Sequence, residues 1–364
     1  MLKIGIVGLP NVGKSTLFNA LLRSPLAEAA NFAFTTINPN IGVVEVPDER
    51  LKELAEIERS QRIVQPTIEF VDIAGLIRGA HKGEGLGNKF LANIREVDAI
   101  AMVVRCFESS EVVHIEGRIS PKDDIEVVMT ELILADLETL SRRKVLLERE
   151  ARTNKQSQKE LEAVLVVEKA LEDARPAIKA KLSDDQKALI ADLHLLTMKP
   201  FLYVFNVSED KITEDSADIV DDFGLSGLVD ESQILIVCAL VEAELAKFDN
   251  DEDRADYLAE LGVEQSGLNK VVKQAYEILH LKSFLTVGPM EARAWTFREG
   301  MTIRQAVGAI HSDFSKKFIK ADVVTYDDFV RCGGWAGAKE AGLVRLEGKD
   351  YLVQDGDIVY VYHR

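Results

Sequence analysis

The sequence predicts an α/β fold on a mostly parallel sheet, and three observations predict it. Short apolar runs recur between residues 4 and 105 and again between 201 and 237. Segments of helical composition separate them, so successive strands are joined by crossovers rather than tight hairpins. The first run leads at once into a glycine-containing loop and then a helix, the order of a phosphate-binding βα unit.

Ile4–Val7 reads as the first strand, and it starts so early that no signal peptide fits before it. The loop follows, then a helix from about Lys14 to Leu22. Ile41–Val46, Thr67–Val71, Ala99–Arg105, Phe201–Phe205 and Ile234–Val237 read as further strands. Between about Asp123 and Leu196 the strand signal stops. That stretch is rich in Glu, Lys, Leu and Ala, with Leu161, Val164, Leu165, Glu168 and Leu171 at helical spacing. It predicts two long helices in a hairpin or short coiled coil, projecting between two core strands, then a returning helix near Asp184–Leu195. From Ser283 the pattern changes again. Ser283–Val287 and Ala292–Phe297 pair around Gly288-Pro289, Thr302–Ile310 is a helix capped by Thr302, and Val323–Tyr326 and Asp357–Tyr362 are strands. This region predicts a separate small α+β domain.

The chain has 364 residues, enough for two or three domains. Its formal net charge of −17 excludes a protein that coats nucleic acid or anionic membrane through its overall field. RNA contact falls to local clusters: Lys316, Lys317 and Lys320 near the C-terminus, and Arg142, Arg143 and Lys144 in the helical insert. DNA is not an expected partner. Nor is a membrane, because no apolar run approaches the roughly 20 residues of a spanning helix. Cys106, Cys238 and Cys332 are far apart and show neither metal spacing nor a disulfide framework, which suits a reducing cytoplasm.

Gly8-Leu9-Pro10-Asn11-Val12-Gly13-Lys14-Ser15 matches G-x-x-x-x-G-K-[ST] in the strand–loop–helix context that the motif requires. The glycines let the backbone wrap phosphates with successive N–H groups pointing inward, and the helix N-terminus adds partial positive charge. Asn11, Val12, Gly13, Lys14, Ser15 and Thr16 are the expected nucleotide-binding residues. Lys14 reaches the β- and γ-phosphates, and Ser15 offers its hydroxyl to Mg²⁺.

Val71-Asp72-Ile73-Ala74-Gly75 ends a strand with D-x-x-G. Asp72 is expected to hold the Mg²⁺ site through water. The Gly75 amide can bond a γ-phosphate oxygen because no side chain blocks the approach. Gly79, Gly83, Gly85 and Gly87 predict a mobile segment able to order on the triphosphate. A threonine between the first helix and the second strand can complete the metal's ligands, and the residues alone do not choose between Thr35 and Thr36. Leu76 stands where Ras-like GTPases place the glutamine that orients the attacking water. Slow intrinsic turnover, or a water-positioning group from elsewhere, follows.

A guanine reader would be N-K-x-D after a later strand, its aspartate accepting from the guanine N1–H and N2–H₂. Asn206-Val207-Ser208-Glu209 occupies that place. The asparagine is kept, but Val207 replaces the lysine and Glu209 the aspartate. A site built on such a buried pair discriminates by roughly 10⁴–10⁵, and one added methylene moves the carboxylate out of that geometry. Adenine offers neither donor on that edge. The expectation is weakened guanine selectivity and a preference for ATP; the alternative is that Glu209 still reaches guanine. Cys238-Ala239-Leu240 sits where the last base-contacting loop belongs.

Gly8–Thr16, Ala30–Ile37 (A-N-F-A-F-T-T-I), Asp72–Leu76, Lys82–Asn88 (K-G-E-G-L-G-N) and Asn206–Glu209 together resemble the Obg-related family of P-loop proteins. The likeness is to that family's ribosome-associated ATPases and covers essentially the whole chain. It implies a G-domain-like sheet (1–122 and 199–280), a coiled-coil insert (123–198) and a C-terminal TGS domain, an α+β ubiquitin-like fold (281–364). It implies ATP and Mg²⁺, and a nucleotide-dependent switch whose partner is the ribosome, through rRNA or ribosomal proteins. It favours Thr36 over Thr35 as Mg²⁺ ligand and makes the apolar Leu76 a family trait. It maps a catalytic histidine onto His114, beside Lys14 and Gly75; His81, nearer Asp72 in sequence, ranks lower. In related loops an asparagine at the place of Asn11 helps to bind K⁺, which makes K⁺ a candidate second cation. Two alternatives stay open: a GTPase of the same fold, and a nucleotide-gated binding module with negligible turnover.

Overall fold

The structure is a computed structural model that describes residues 2–25, 27, 40–73, 86–108 and 119–364. Of these, 2–25, 40–42 and those from 69 to 271 form one compact unit, and 27, 43–68 and 272–364 form a second. In chain order the strands are β1 (Lys3–Val7), β2 (Ile41–Glu45), β3 (Ile63–Val64), β4 (Thr67–Asp72), β5 (Ala99–Cys106), β6 (Phe201–Val207), β7 (Ile234–Val237), β8 (Leu281–Val287), β9 (Ala292–Arg298), β10 (Phe318–Thr325), β11 (Arg345–Glu347) and β12 (Asp357–His363).

The first sheet runs β2-β4-β1-β5-β6-β7. β1 lies parallel between β4 and β5, with Ile4 opposite Phe70 on one side and Ala99 on the other. The pairs β5–β6 and β6–β7 are parallel as well. Every residue of β5 and β6 is buried, because helices cover both faces, and these runs therefore show no polar alternation. The β2 edge differs. Asp72 N donates to Asn40 O, and Val46 N donates to Pro66 O, an antiparallel register. Parallel order brings the carboxyl ends of β1, β4, β5, β6 and β7 to one edge of the sheet, where open α/β sheets bind ligands.

The insert begins with a 30-residue helix, Pro121–Glu150. Its first half buries Ile125, Val128, Met129 and Leu132 in the same core as Met102 and Val104 of β5. Its second half pairs with the helix Lys155–Glu172 around Leu140, Leu147, Ala163, Val164, Val167 and Leu171. The turn between them is set by Asn154, whose side chain accepts from Gln156 N at 2.8 Å. Asp136, fully buried, accepts from Leu196 N, Thr197 N and Thr197 Oγ1 at 2.7–2.8 Å, so the returning segment docks on the first helix. That segment is one α-helix only at Asp184–Ile190. A 3₁₀ turn, Ala191–Leu193, replaces the predicted last turn, and His194 ends it with a left-handed φ of 46°.

The second unit is a mixed sheet in the order β11-β10-β12-β8-β9-β3. A β8–β9 hairpin and a parallel β8–β12 pair at its centre give it the expected ubiquitin-like character. Two expected elements are redrawn. The strand predicted at Val323–Tyr326 runs from Phe318 to Thr325 and stops there, because the Thr325 side chain caps a helix that starts at Tyr326. The helix predicted over Thr302–Ile310 is one α-turn, Ile303–Ala306, followed by a 3₁₀ turn; the Gln305 side chain caps its start by accepting from Thr302 N at 2.9 Å.

This unit also holds a segment from far away in sequence. The helix Arg50–Glu58 buries Leu51, Leu54 and Ala55 against Leu285, Ala294, Val324, Phe329 and Ile358. β3 then adds to β9, with Ile63 opposite Ala292. Arg50 donates to Asp48 and to Asp355, and Ser60 Oγ donates to Gly288 O at 2.8 Å. Apart from the neighbouring Asp48, these partners lie more than 200 residues on, and nothing local in residues 50–64 announces them.

Candidate functional site

The phosphate loop follows β1 directly and ends where the helix Lys14–Leu22 begins. That helix has only its inner side in the core, through Leu17, Phe18, Ala20 and Leu21. The hydroxyl-bearing Ser15 and Thr16 of its first turn are exposed. Two backbone positions in the loop are left-handed, Asn11 at φ 67° and Gly13 at φ 93°. Asparagine is one of the few side chains that tolerates this region, and glycine is at home in it. Both glycines are also sterically required. A Cβ on Gly8 would stand 2.6 Å from Val103 O, and one on Gly13 would run into the Asn206 side chain.

Lys14 and Asp72, 58 residues apart, meet at the ends of β1 and β4 in a direct ion pair between Lys14 Nζ and Asp72 Oδ1. The residue predicted to bind phosphate and the residue predicted to hold Mg²⁺ are thus brought together. An anion offered to Lys14 and a cation offered to Asp72 would take over that neutralisation. Oxygen donors of this kind, a carboxylate and the exposed Ser15 hydroxyl, match the preference of a hard divalent cation.

Asn206 has a role that the sequence reading missed. It is buried at the end of β6, and both ends of its amide are engaged by backbone. Its Nδ2 donates to Val12 O at 2.9 Å, and its Oδ1 accepts from Ala239 N at 2.9 Å. One side chain therefore ties the phosphate loop to the start of the helix after β7. The signal was present in the sequence: in Asn206-Val207-Ser208-Glu209 the asparagine persists although its lysine and aspartate companions do not. Val207 is buried in the core, whereas Glu209 and Leu240 are exposed. Burial raises the Cys238 thiol above its usual range.

Thr35, Thr36, Gly75, Leu76, His81 and His114 lie outside the described residues, so the switch threonine, the D-x-x-G glycine and both candidate histidines have no described geometry. Of the two basic clusters, the one in the insert is largely taken up by ion pairs. Arg143 makes two hydrogen bonds to Glu160, at 2.7 and 2.8 Å, and Lys144 Nζ reaches Glu168 at 2.6 Å; both are ion pairs across the hairpin, leaving Arg142 the outward member. Near the C-terminus, Lys317 pairs with Asp313 and Lys320 lies over the Tyr362 ring. No helix among the described residues is long and apolar enough to cross a membrane.

A family model described as a 50S ribosome-binding GTPase matches residues 3–131, and the YchF GTPase C-terminal model, described as a protein of unknown function, matches residues 281–363. The ribosome-binding ATPase YchF of Bacillus subtilis (strain 168) is 47% identical over 364 residues, covering 99% of this chain and 98% of the relative. The chain belongs to the YchF family. The ribosome-binding ATPase YchF of Escherichia coli O157:H7 is 50% identical over 361 residues, with 98% of each chain covered. The solved structure of the Schizosaccharomyces pombe YchF GTPase is 34% identical, covers 99% of this chain and 97% of its own, and superposes with a TM-score of 0.88. The names within the YchF family disagree on the nucleotide: the bacterial relatives are called ATPases, and the yeast structure a GTPase.

Proposed function

We propose that this chain is an ATP-hydrolysing P-loop switch that associates with ribosomes in the cytoplasm. The observation that carries the nucleotide choice is the strut at Asn206. It supports the reading because Asn206, bonded to Val12 of the phosphate loop and to Ala239, is followed at once by the end of β6 and by Ser208-Glu209, the segment read as facing the base. The acid in that segment is Glu209 rather than aspartate, which disfavours guanine as argued from the sequence. The names of the bacterial relatives, ribosome-binding ATPases, support the same reading.

In this reading the loop amides from Asn11 to Thr16 hold the triphosphate, and Lys14 leaves Asp72 to lie along the β- and γ-phosphate oxygens. Ser15, Asp72 and Thr36 would hold Mg²⁺, which neutralises charge building on the transferred phosphoryl group. The Gly75 amide contributes to the same γ-phosphate. Leu76 cannot orient water, so His114 is assigned that part and intrinsic turnover is slow. Asn11 is assigned to a K⁺ site, and equal rates in matched KCl and NaCl would remove that assignment.

Two variants and one binding assay test the reading. Lys14→Ala abolishes ATP binding or hydrolysis; His114→Ala slows single-turnover hydrolysis and leaves ATP affinity nearly unchanged. Co-sedimentation with 70S ribosomes differs between ATP, ADP and no nucleotide. Equal sedimentation in all three sinks the switch. Leu76 also favours a second reading, a nucleotide-gated binding module, and absence of single-turnover hydrolysis with and without ribosomes would select it.

A further inference from the structure

Glu242 is a buried carboxylate, 2% exposed, in the short helix Ala239–Leu245. It points at the start of another helix, Gly267–Ile278. Its Oε1 accepts from Gly267 N at 2.6 Å, and the Leu268 amide and the Ser266 hydroxyl face the carboxylate and favour its charged form. The Ser266 Oγ in turn accepts from Asn269 N at 3.1 Å. Two orphan amides of one helix N-terminus, Gly267 N and Asn269 N, are thus satisfied by Glu242 and Ser266. The fit is close: a Cβ on Gly267 would stand 3.0 Å from two Val237 methyls and 3.1 Å from Glu242 Oε1, so a side chain there would make Val237 or Glu242 give way by a few tenths of an ångström.

The helix that carries Glu242 begins at Ala239, whose amide is bonded to Asn206, which is bonded to Val12 of the phosphate loop. Glu242 N closes the first turn on Cys238 O at 3.0 Å. We propose that Glu242 is a positioning residue of the nucleotide site: by clamping the helix Ala239–Leu245 to the start of the helix Gly267–Ile278, it holds the Ala239 amide where Asn206 needs it. The proposal rests on the nucleotide-hydrolase reading above.

The clamp needs a carboxylate that accepts on every side. Gly267 N donates to it, and the Leu268 amide and the Ser266 hydroxyl face it. Protonation turns one acceptor oxygen into a donor facing another donor, and substitution by glutamine does the same at constant size. Burial pushes the Glu242 carboxyl up to about 7, against the opposing pull of the amides, the Ser266 hydroxyl and the Lys270 ammonium on the capped helix. The neighbouring Cys238 thiol is raised by its own burial and does not titrate in that range. The clamp therefore loosens as pH falls through neutrality.

The test is calorimetric titration of MgATP into the full chain at about pH 6, 7 and 8, for wild type and Glu242→Gln. At pH 8 the variant binds about three- to tenfold more weakly, the weight of one hydrogen bond. Between pH 8 and 6 the wild type loses a similar factor relative to the variant, a comparison that cancels titration of the nucleotide's own phosphates. A folded Glu242→Gln protein with wild-type affinity at all three pH values overturns the proposal, since a merely structural role would lower the melting temperature alone. Ser266→Ala, which removes the cap on Asn269 N and the hydroxyl that faces Glu242 but leaves the charge, weakens binding about two- to threefold. Unchanged affinity there overturns the proposal even where Glu242→Gln fails to fold. A wild type that binds no nucleotide at pH 8 would instead sink the reading beneath it.

Discussion

Replacing Asn206 with alanine is expected to damage the nucleotide site without touching any residue that reaches a phosphate through its side chain. The substitution leaves Val12 C=O and Ala239 N–H buried without the partner each now has. A buried polar group left unsatisfied costs about 1–3 kcal/mol, so the two together cost about 2–6 kcal/mol of folding free energy. The phosphate loop also loses its fixed register against the start of the helix after β7. Ordering it again on binding should weaken ATP about tenfold or more, about 1.4 kcal/mol or above. Asn206→Asp separates the two bonds. It keeps an acceptor for Ala239 N but sets a carboxylate oxygen against Val12 O, so it should bind ATP no better than the alanine variant. Urea unfolding without nucleotide gives the first quantity and calorimetry the second. An alanine variant that loses less than about 0.5 kcal/mol and binds ATP like wild type would refute the strut.

Gly13→Ala forces a side chain into a left-handed φ of 93° and onto the Asn206 amide; strain of about 1–3 kcal/mol is expected, with loss of nucleotide binding, and a variant of normal affinity contradicts it. Asp136→Ala orphans Leu196 N, Thr197 N and Thr197 Oγ1, so cleavage by protease around residues 173–198 should accelerate while ATP affinity stays within about twofold, the expectation for sites that share no partner; an unchanged digestion pattern contradicts it. Because burial raises Glu242 to about 7, the folded state binds its proton more tightly than the unfolded chain does. Its favourable share of stability is complete below the ordinary carboxyl range and is lost as pH rises through about 7. Glu242→Gln should therefore flatten stability between about pH 5 and 7.5, and an unaltered slope in chemical denaturation would contradict the burial.

What the sequence made legible followed from local pattern. The all-buried runs of β5 and β6 read as strands because helices on both faces strip them of polar residues. The phosphate loop read as a site because its residue types are demanded by one backbone path, which the left-handed Asn11 and Gly13 confirm. The hairpin of the insert read from the spacing of Leu161, Val164 and Leu171, the residues that pack against Leu140 and Leu147. What stayed hidden depends on partners distant in the chain. The helix Arg50–Glu58 looks like an ordinary amphipathic surface helix until Phe329 and Ile358 cover Leu51 and Leu54. Arg143 and Lys144 look like a free basic patch until Glu160 and Glu168 arrive from the next helix. Asn206 was assigned to a base by motif logic, and only the structure shows both of its amide ends on backbone.

The central claim is that Glu209, just beyond Asn206 at the end of β6, turns the site toward ATP rather than GTP. Calorimetric affinities of MgATP and MgGTP for the same preparation of the full chain test it most directly. If the longer Glu209 side chain holds its carboxylate off the two guanine donors, as proposed, ATP should bind at least about tenfold more tightly. Equal affinity, or tighter binding of GTP, would contradict the account.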